Sequence, residues 1–285
     1  MNQAHIQQAK KIMHTHGVSY FLATRFFPRD TREAIYILYA FVRMADELVD
    51  NPKEGENPLE KIYEWKKNWQ QSIDTGVGTS WIFEATIELH KTYNIPFEYS
   101  LDFIDAMIQD VHQSRYDTYE SLHRYIYGSA ETVGCMLSHI FGFQGDALLY
   151  AKKLGEAMQM TNFLRDVHDD YVTRNRVYIP EDDLQRFGIT ESMIADAQVT
   201  KEWRAYMEYE IAHTRNLYEE AKKGIPLLSR EARIPVALAL VLYREILSEI
   251  EKAGYDIFSR RVKTSRITKI RCILKVLWNK KQWGL

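Results

Sequence analysis

Two short stretches decide how this chain is read: FVRMADELVD, residues 41–50, and NFLRDVHDD, residues 162–170. Each sets carboxylates into an apolar stretch with helical spacing. Asp46 and Asp50 are four residues apart, so on a helix their Cβ atoms lie about 6 Å apart on one face. Asp166 and Asp170 repeat the spacing, with Asp169 one step round the helix and Asn162 and Gln159 extending the stripe backwards. A carboxylate facing a core is costly unless a partner offsets its desolvation. Oxygen donors with no adjacent Cys or His pair suit a hard cation, Mg²⁺ or Mn²⁺, rather than zinc. Mg²⁺ completes its shell with water and phosphate oxygens, so two facing columns would clamp a diphosphate through several ions. Arg43 and Arg165 stand beside the columns and can bind phosphate in bidentate fashion. Tyr36, Tyr39, Phe41, Tyr125 and Tyr127 supply ring faces able to stabilise a carbocation. A single Asp pair on a helix is more often a solvated face, Arg43 alone could be a structural ion pair, and single tyrosines are mostly core fillers. Two embedded columns are harder to dismiss.

Working outward, helical periodicity dominates. Residues 30–50 open on an Asp30–Glu33 capping box, and residues 117–142 on an Asp117–Glu120 box. Asn57 and Pro58 start a helix that ends at Gly76. Pro96 starts another, and a long helix runs from Asp146 to Asn175. RVYIPEDDLQRFGIT, residues 176–190, reads as a loop, and three further helices begin near Trp203, Arg230 and Ser259. No stretch alternates with period two. The expectation is an all-α bundle of about ten helices around a central space, one domain spanning 1–285, since no Pro/Gly/Ser-rich linker divides the chain.

A formal net charge of −2 gives no global pull toward nucleic acid. Cys135 and Cys272 have no motif spacing and read as free buried thiols of a reducing compartment. MNQAHIQQAKKIMHTHG lacks the apolar centre of a signal peptide, and the longest apolar run, IPVALALVLY from Ile234, falls short of the ~20 residues a spanning helix needs. The chain is read as cytoplasmic, with peripheral contact at the inner face of a membrane. After Asp256 there is no acidic residue, while Arg260, Arg261, Lys263, Arg266, Lys269, Arg271, Lys275, Lys280 and Lys281 are basic. Ile267, Ile270, Leu274 and Leu277 recur at helical spacing beside Trp278. Such a helix either packs its apolar stripe on the body or meets an anionic bilayer.

The chain resembles the squalene/phytoene synthase family, the head-to-head prenyl transferases. The likeness rests on HGVSYFLATRFFP (16–28), YILYAFVRMADELVD (36–50), YGSAETVG (127–134), LGEAMQMTNFLRDVHDDYVTRNRVYIPEDDLQRFG (154–188) and YREIL (243–247). RVYIPEDDL looks more like phytoene synthases than the dehydrosqualene branch. The resemblance implies an isoprenoid-synthase-type helical fold around a central cavity. It implies that Asp46 and Asp50 form one metal motif and Asn162, Asp166 and Asp170 the other, with Asp46, Asp50, Asp166, Asp170 and Tyr127 catalytic. Substrate contacts fall on His16, Gly17, Val18, Ser19, Tyr20, Tyr39, Arg43, Gln159, Arg165, Tyr243 and Arg261. Two departures stand out: Glu131 where many members have glycine, which would set a carboxylate beside the apolar tunnel, and Asp169 where Glu is common.

The implied reaction joins two allylic diphosphates, geranylgeranyl diphosphate being the expected substrate, through a cyclopropylcarbinyl diphosphate to phytoene. Farnesyl diphosphate, giving dehydrosqualene, presqualene diphosphate or squalene, is the alternative within the class. Mg²⁺ or Mn²⁺ is the expected cofactor. NADPH is not expected, since no G-x-G-x-x-G follows a strand. A terpene cyclase shares the all-α fold and acidic motifs, and a non-catalytic helical protein holding cations or partners is the rival outside enzymes. Chain length, oligomeric state and the proton acceptor are not legible.

Overall fold

The computed structural model describes residues 2–16 and 23–284. Gly17, Val18, Ser19 and Tyr20 lie outside the described residues. The helices are α1 (Gln3–His16), α2 (Arg29–Asp50), α3 (Pro58–Thr75), α4 (Trp81–Tyr93), α5 (Phe97–His112), α6 (Tyr119–Ile126), α7 (Thr132–Phe141), α8 (Ala147–Arg174), α9 (Glu181–Phe187), α10 (Glu191–Ala195), α11 (Lys201–Lys222), α12 (Arg230–Lys252) and α13 (Arg266–Trp278). A π-helical segment, Tyr127–Glu131, joins α6 to α7, and 3₁₀ turns cover Ile225–Leu227 and Lys280–Trp283. Among the described residues the sole β-type pairing is an isolated bridge between Phe143 and Leu228. None of their helices is long and apolar enough to cross a membrane.

Sequence signals set many of the boundaries. Asn57 accepts from the Leu59 N–H with Pro58 in the first turn, and Gly76 closes α3 in the left-handed region. The two Asp-x-x-Glu boxes do not form. The first turn of α2 starts at Arg29 after Pro28, and Arg29 pairs with Glu33 instead. The cap of α6 is Thr118, boxed with Ser121. The stretch read as a loop contains α9, whose first turn holds Glu181, Asp182 and Asp183, and the last helix starts at Arg266 on a Ser265 cap rather than near Ser259.

One contiguous core runs through the bundle. On one side of α2, Phe41 packs with Trp65, Trp69 and Phe83. Thr161 of α8 and Tyr218 of α11 join hydroxyls at 2.9 Å in the interior. Cys135 and Cys272 are free and buried, in line with the reading. The π segment is wedged between α5 and α8. A Cβ on Gly128 would meet the Ala106 Cβ at 2.6 Å, and one on Gly155 would meet the Ala130 carbonyl oxygen at 2.6 Å, so only glycine permits this closeness. The extra residue in that turn re-aims its side chains. Ser129, Ala130 and Val133 line the central cavity, whereas Glu131 pairs with His123 at 2.9 Å and is absent from the lining, contrary to the tunnel-side expectation.

α13 inverts the packing alternative. Cys272 and Val276 are its buried positions, and the helix lies against α12. The Ile267–Trp278 stripe is exposed.

Candidate active site

The cavity, of about 290 Å³, lies between α2 and α8, and both helices carry it to the same end. On α2, Ile35, Leu38, Tyr39 and Val42 line it, and Asp46 and Asp50 follow one and two turns later. On α8, Leu154, Met158, Gln159 and Asn162 line it, and Asp166 and Asp170 follow. Both helices thus point their C-termini at the mouth. Asp50 is the last residue of α2, where the helix dipole is negative and a carboxylate is unfavourable. Concentrating negative potential there serves a cation better than it serves the fold.

The two columns meet through arginine. Arg174 reaches Asp170 at 3.0 Å and Asp50 at 3.3 Å, touching both. Arg176 reaches Asp50 at 2.7 Å and Asp110 of α5 at 2.9 Å, and the Tyr178 hydroxyl donates to Asp110 at 2.7 Å. Asp166 accepts from Arg165 Nε at 2.8 Å and Arg261 Nε at 2.9 Å. Arg43 Nη1 lies 2.6 Å from Asp46, its Nη2 pairs with Glu47, and His16 Nδ1 lies 3.6 Å from Glu47. The Nε of Arg43 is buried with no partner.

Burial and crowding shift the carboxyls. Burial, then the neighbouring Asp50, pushes Asp46 up to about 7 against Arg43. Burial, then Asp166, pushes Asp170 to about 7 against Arg174. Burial lifts Asp110 to about 6 although Arg176 and Tyr178 oppose it. Burial acts the same way on Asp166, but the Arg165 and Arg261 guanidiniums outweigh it and hold that carboxyl below the usual range. Carboxylates that shift upward beside guanidiniums mark a site with more negative charge than the protein itself relieves.

Of the residues singled out from sequence, Asp46, Asp50, Asn162, Asp166 and Asp170 converge, with Arg43, Arg165 and Arg261 among them. Burial pushes the Tyr39 hydroxyl up to about 12, and Tyr243 is near enough to add to that rise while Arg43 opposes it. Gln159 and Asn162 line the inner rim, and Asn162 donates weakly to Gln159 at 3.4 Å. Asp169 is exposed and leaves the column. Tyr127 sits apart from the lining and donates to Asp102 at 3.0 Å. The aromatic expectation needs correcting: Phe41 belongs to the tryptophan core, and Tyr125 stacks with Tyr178 at 5.6 Å. Among the described residues the rings that line the cavity are Phe27, Tyr39, Phe141 and Tyr150, the first and third stacked at 4.8 Å. Sequence reasoning missed Arg174, Arg176, Tyr178 and Asp110. The first three alternate across the left-handed Asn175 that ends α8, a period-two signal hidden in the segment read as helix tail and loop. Asp110, between Ile108 and Val111, had only its apolar company as a clue.

A second grouping lies outside the cavity lining. The ligand atoms of His123, Glu131 and Glu156 fall within 4.8 Å of one another. This grouping is neutralised by its own neighbours: Lys153 and the Tyr119 hydroxyl each donate to Glu156 at 2.7 Å. It shares no residue with the aspartate columns.

The family model described as squalene/phytoene synthase matches residues 13–268. A 15-cis-phytoene synthase from Synechocystis sp. is 33% identical over 286 residues, covering 96% of this chain and 84% of the relative. The 15-cis-phytoene synthase of Synechococcus elongatus is 31% identical over 268 residues, covering 90% and 86%. Among solved structures, a dehydrosqualene synthase in complex with ligand superposes with a TM-score of 0.91 at 28% identity, covering 99% of this chain and 98% of that one. Squalene synthase HpnC from Alicyclobacillus acidocaldarius gives 0.81 at 26%, covering 89% and 95%.

Proposed function

The chain belongs to the squalene/phytoene synthase family, and from that premise we propose that it condenses two geranylgeranyl diphosphates head to head to phytoene, residues 1–285 acting as one catalytic domain. The observation that carries the reading is the junction itself: an apolar cavity opening onto two aspartate columns that one arginine bridges.

The family is typically dependent on divalent metal, and the donor set fits Mg²⁺ or Mn²⁺. Asp46 and Asp50 on one helix, and Asn162, Asp166 and Asp170 on the other, offer oxygen alone. Bound there, such ions neutralise the charge that develops on a departing diphosphate. The chain's own residues do the rest. The unpartnered Nε of Arg43 is a donor with no acceptor in the protein, as a phosphate oxygen would require. Arg165, Arg174, Arg176 and Arg261 can transfer hydrogen bonds from carboxylate to phosphate oxygens as substrate enters. Gln159, Tyr39 and Tyr243 orient the first isoprene unit at the rim, and His16 approaches from α1. Gly17, Val18, Ser19 and Tyr20 are proposed contacts by family resemblance. Tyr127 is retained from the same resemblance as a candidate whose present partner is Asp102. The apolar lining below the rim excludes water, so an allylic cation reaches the second substrate's double bond before it is quenched. That attack, with the donor's diphosphate already released and one proton lost as the three-membered ring closes, forms the cyclopropylcarbinyl diphosphate. Its ionisation, rearrangement and loss of one proton give the triene core without a reductant.

Incubation with geranylgeranyl or farnesyl diphosphate and Mg²⁺, with and without NADPH, tests this. Phytoene from the C20 substrate, indifferent to NADPH, is expected. A C30 hydrocarbon alone would overturn the chain length, and a cyclic product from one substrate or no product at all would overturn the class. The lipophilic substrate and product lead to a further part of the reading, that the enzyme works at the cytoplasmic face of a membrane, held through the basic C-terminal helix.

A further inference from the structure

We propose that α13 docks on an anionic lipid bilayer by sinking its outward apolar stripe below the headgroups, rather than by charge attraction alone. This rests on the peripheral contact proposed above and deepens it. Ile267 is 72% exposed, Ile270 56%, Leu274 59%, Leu277 38% and Trp278 89%. At 100° per residue these five share an arc of about 100°. A soluble surface scatters large apolar side chains singly, and five on one helix face mark a contact surface. The opposite face, Cys272 and Val276, is already spent on the body of the protein.

The helix is fastened at both ends, so it cannot roll to hide the stripe. Before it, Val262 is buried in the core. After it, Trp283 is buried and Arg233 donates to the Gly284 carbonyl at 2.5 Å. The stripe is therefore presented as a fixed edge.

Charge selects the occupant. Arg266 flanks the stripe on one side, Arg271 and Lys275 on the other, and Lys280 and Lys281 follow, all exposed. No acidic residue occurs after Asp256. A second copy docking stripe to stripe would bring two basic rims together without an acidic partner. An anionic headgroup layer answers the rim, and its acyl boundary answers the stripe. The placement also suits the cargo. α12, against which α13 lies, contributes Pro235, Val236 and Ala239 to the cavity wall, so a docked α13 sets the cavity one helix from the lipid.

Flotation of the full chain with vesicles of phosphatidylcholine, alone or mixed with phosphatidylglycerol, is the test. It is run at about 0.1 M and about 1 M salt, where the screening length falls from ~10 Å to ~3 Å. Wild type is expected to float with the mixed vesicles and to stay bound at high salt. Ile270→Ser/Trp278→Ser, at exposed positions that do not support the fold, is expected to bind about tenfold less at high salt. It should keep wild-type turnover of detergent-dispersed prenyl diphosphate. Absence of flotation, binding that salt abolishes, an unaffected variant, or a lipid-free dimer that the same variant dissolves would each overturn the proposal. Turnover is read separately: its loss in wild type would overturn the catalytic reading and leave the lipid result standing.

Discussion

Two groups of carboxylates, the partly buried aspartates at the cavity mouth and the fully buried Glu131–Glu156 pair outside the lining, show opposite electrostatics. At the mouth, Asp46 and Asp170 are pushed up to about 7 by burial and by each other's neighbours, arginines notwithstanding. In the second group, burial also works against ionisation of Glu156. There, however, hydrogen bonds from His123, Lys153 and Tyr119 prevail and bring it down to about 2. His123, bonded to Glu131 and Glu156, is raised to about 9 despite desolvation. Both groups have cations within reach. What differs is pairing: Glu156 is enclosed by its own donors, whereas the mouth lines up carboxylates from facing helices so that repulsion remains. A closed network holds structure together; an open one awaits a charged ligand.

The largest effect that could break this contrast is on turnover. Asp50→Asn and Asp166→Asn should each lower kcat by two to three orders of magnitude, on the order of a lost transition-state charge contact, with the helical circular dichroism unchanged. Near wild-type kcat at saturating Mg²⁺ would mean that the column in question is structural after all.

Asp110 sharpens the boundary between the groups. It is as buried as Glu156, yet it holds Arg176, which also holds Asp50. Asp110→Asn should reduce turnover by roughly 10–100-fold, as loss of an outer partner of a ligand does. If steady-state kinetics stay intact while thermal stability drops, Asp110 belongs with the structural group. Arg165→Lys asks a finer version of the question: it keeps the charge and loses the planar fork, so a phosphate contact predicts a raised KM or lowered kcat. Unchanged kinetics would leave Arg165 as the ion pair of Asp166.

Glu156→Gln should do the reverse, lowering stability by about 1 kcal/mol because the part-exposed Lys153 and His123 lose their counter-charge, with turnover per folded molecule preserved. Denaturant titration alongside kinetics separates the two, and an unaltered midpoint would contradict a structural role.

The smallest effect is on pH dependence. Because His123 rises from 6.5 to about 9 on folding, its contribution to stability is complete below pH 6.5 and fades as pH rises through about 9. Because Glu156 falls from 4.5 to about 2, its contribution is complete above pH 4.5 and fades as pH drops toward 2. Asp46 and Asp170, raised from 3.8 to about 7, contribute stability that fades between those values as pH rises. Thermal melts of wild type and His123→Gln across this range should diverge below about pH 9 and converge above it. Parallel curves would remove the histidine from the network.

Much of the site was legible because helical spacing is local. Asp46–Asp50, Asp166–Asp170 and their cavity-side extensions Tyr39, Gln159 and Asn162 needed only 3.6 residues per turn, and apolar periodicity sufficed for the all-α fold. The caps were less secure: side chains at Asp30 and Asp117 had the right spacing, but the backbone entered each helix at a neighbouring residue. What the tertiary structure alone decided is which distant groups meet. Arg174, in the last turn of α8, and Arg176, beyond the left-handed Asn175 through which the chain leaves that helix, both close on Asp50. Glu131 turns from the tunnel because a π turn, made possible by the close approach at Gly128, adds one residue to the winding. The stripe on α13 faces outward because Cys272 and Val276 took the inner face, a choice that an amphipathic pattern leaves open: periodicity fixes which residues share a side, and packing fixes which side is inside.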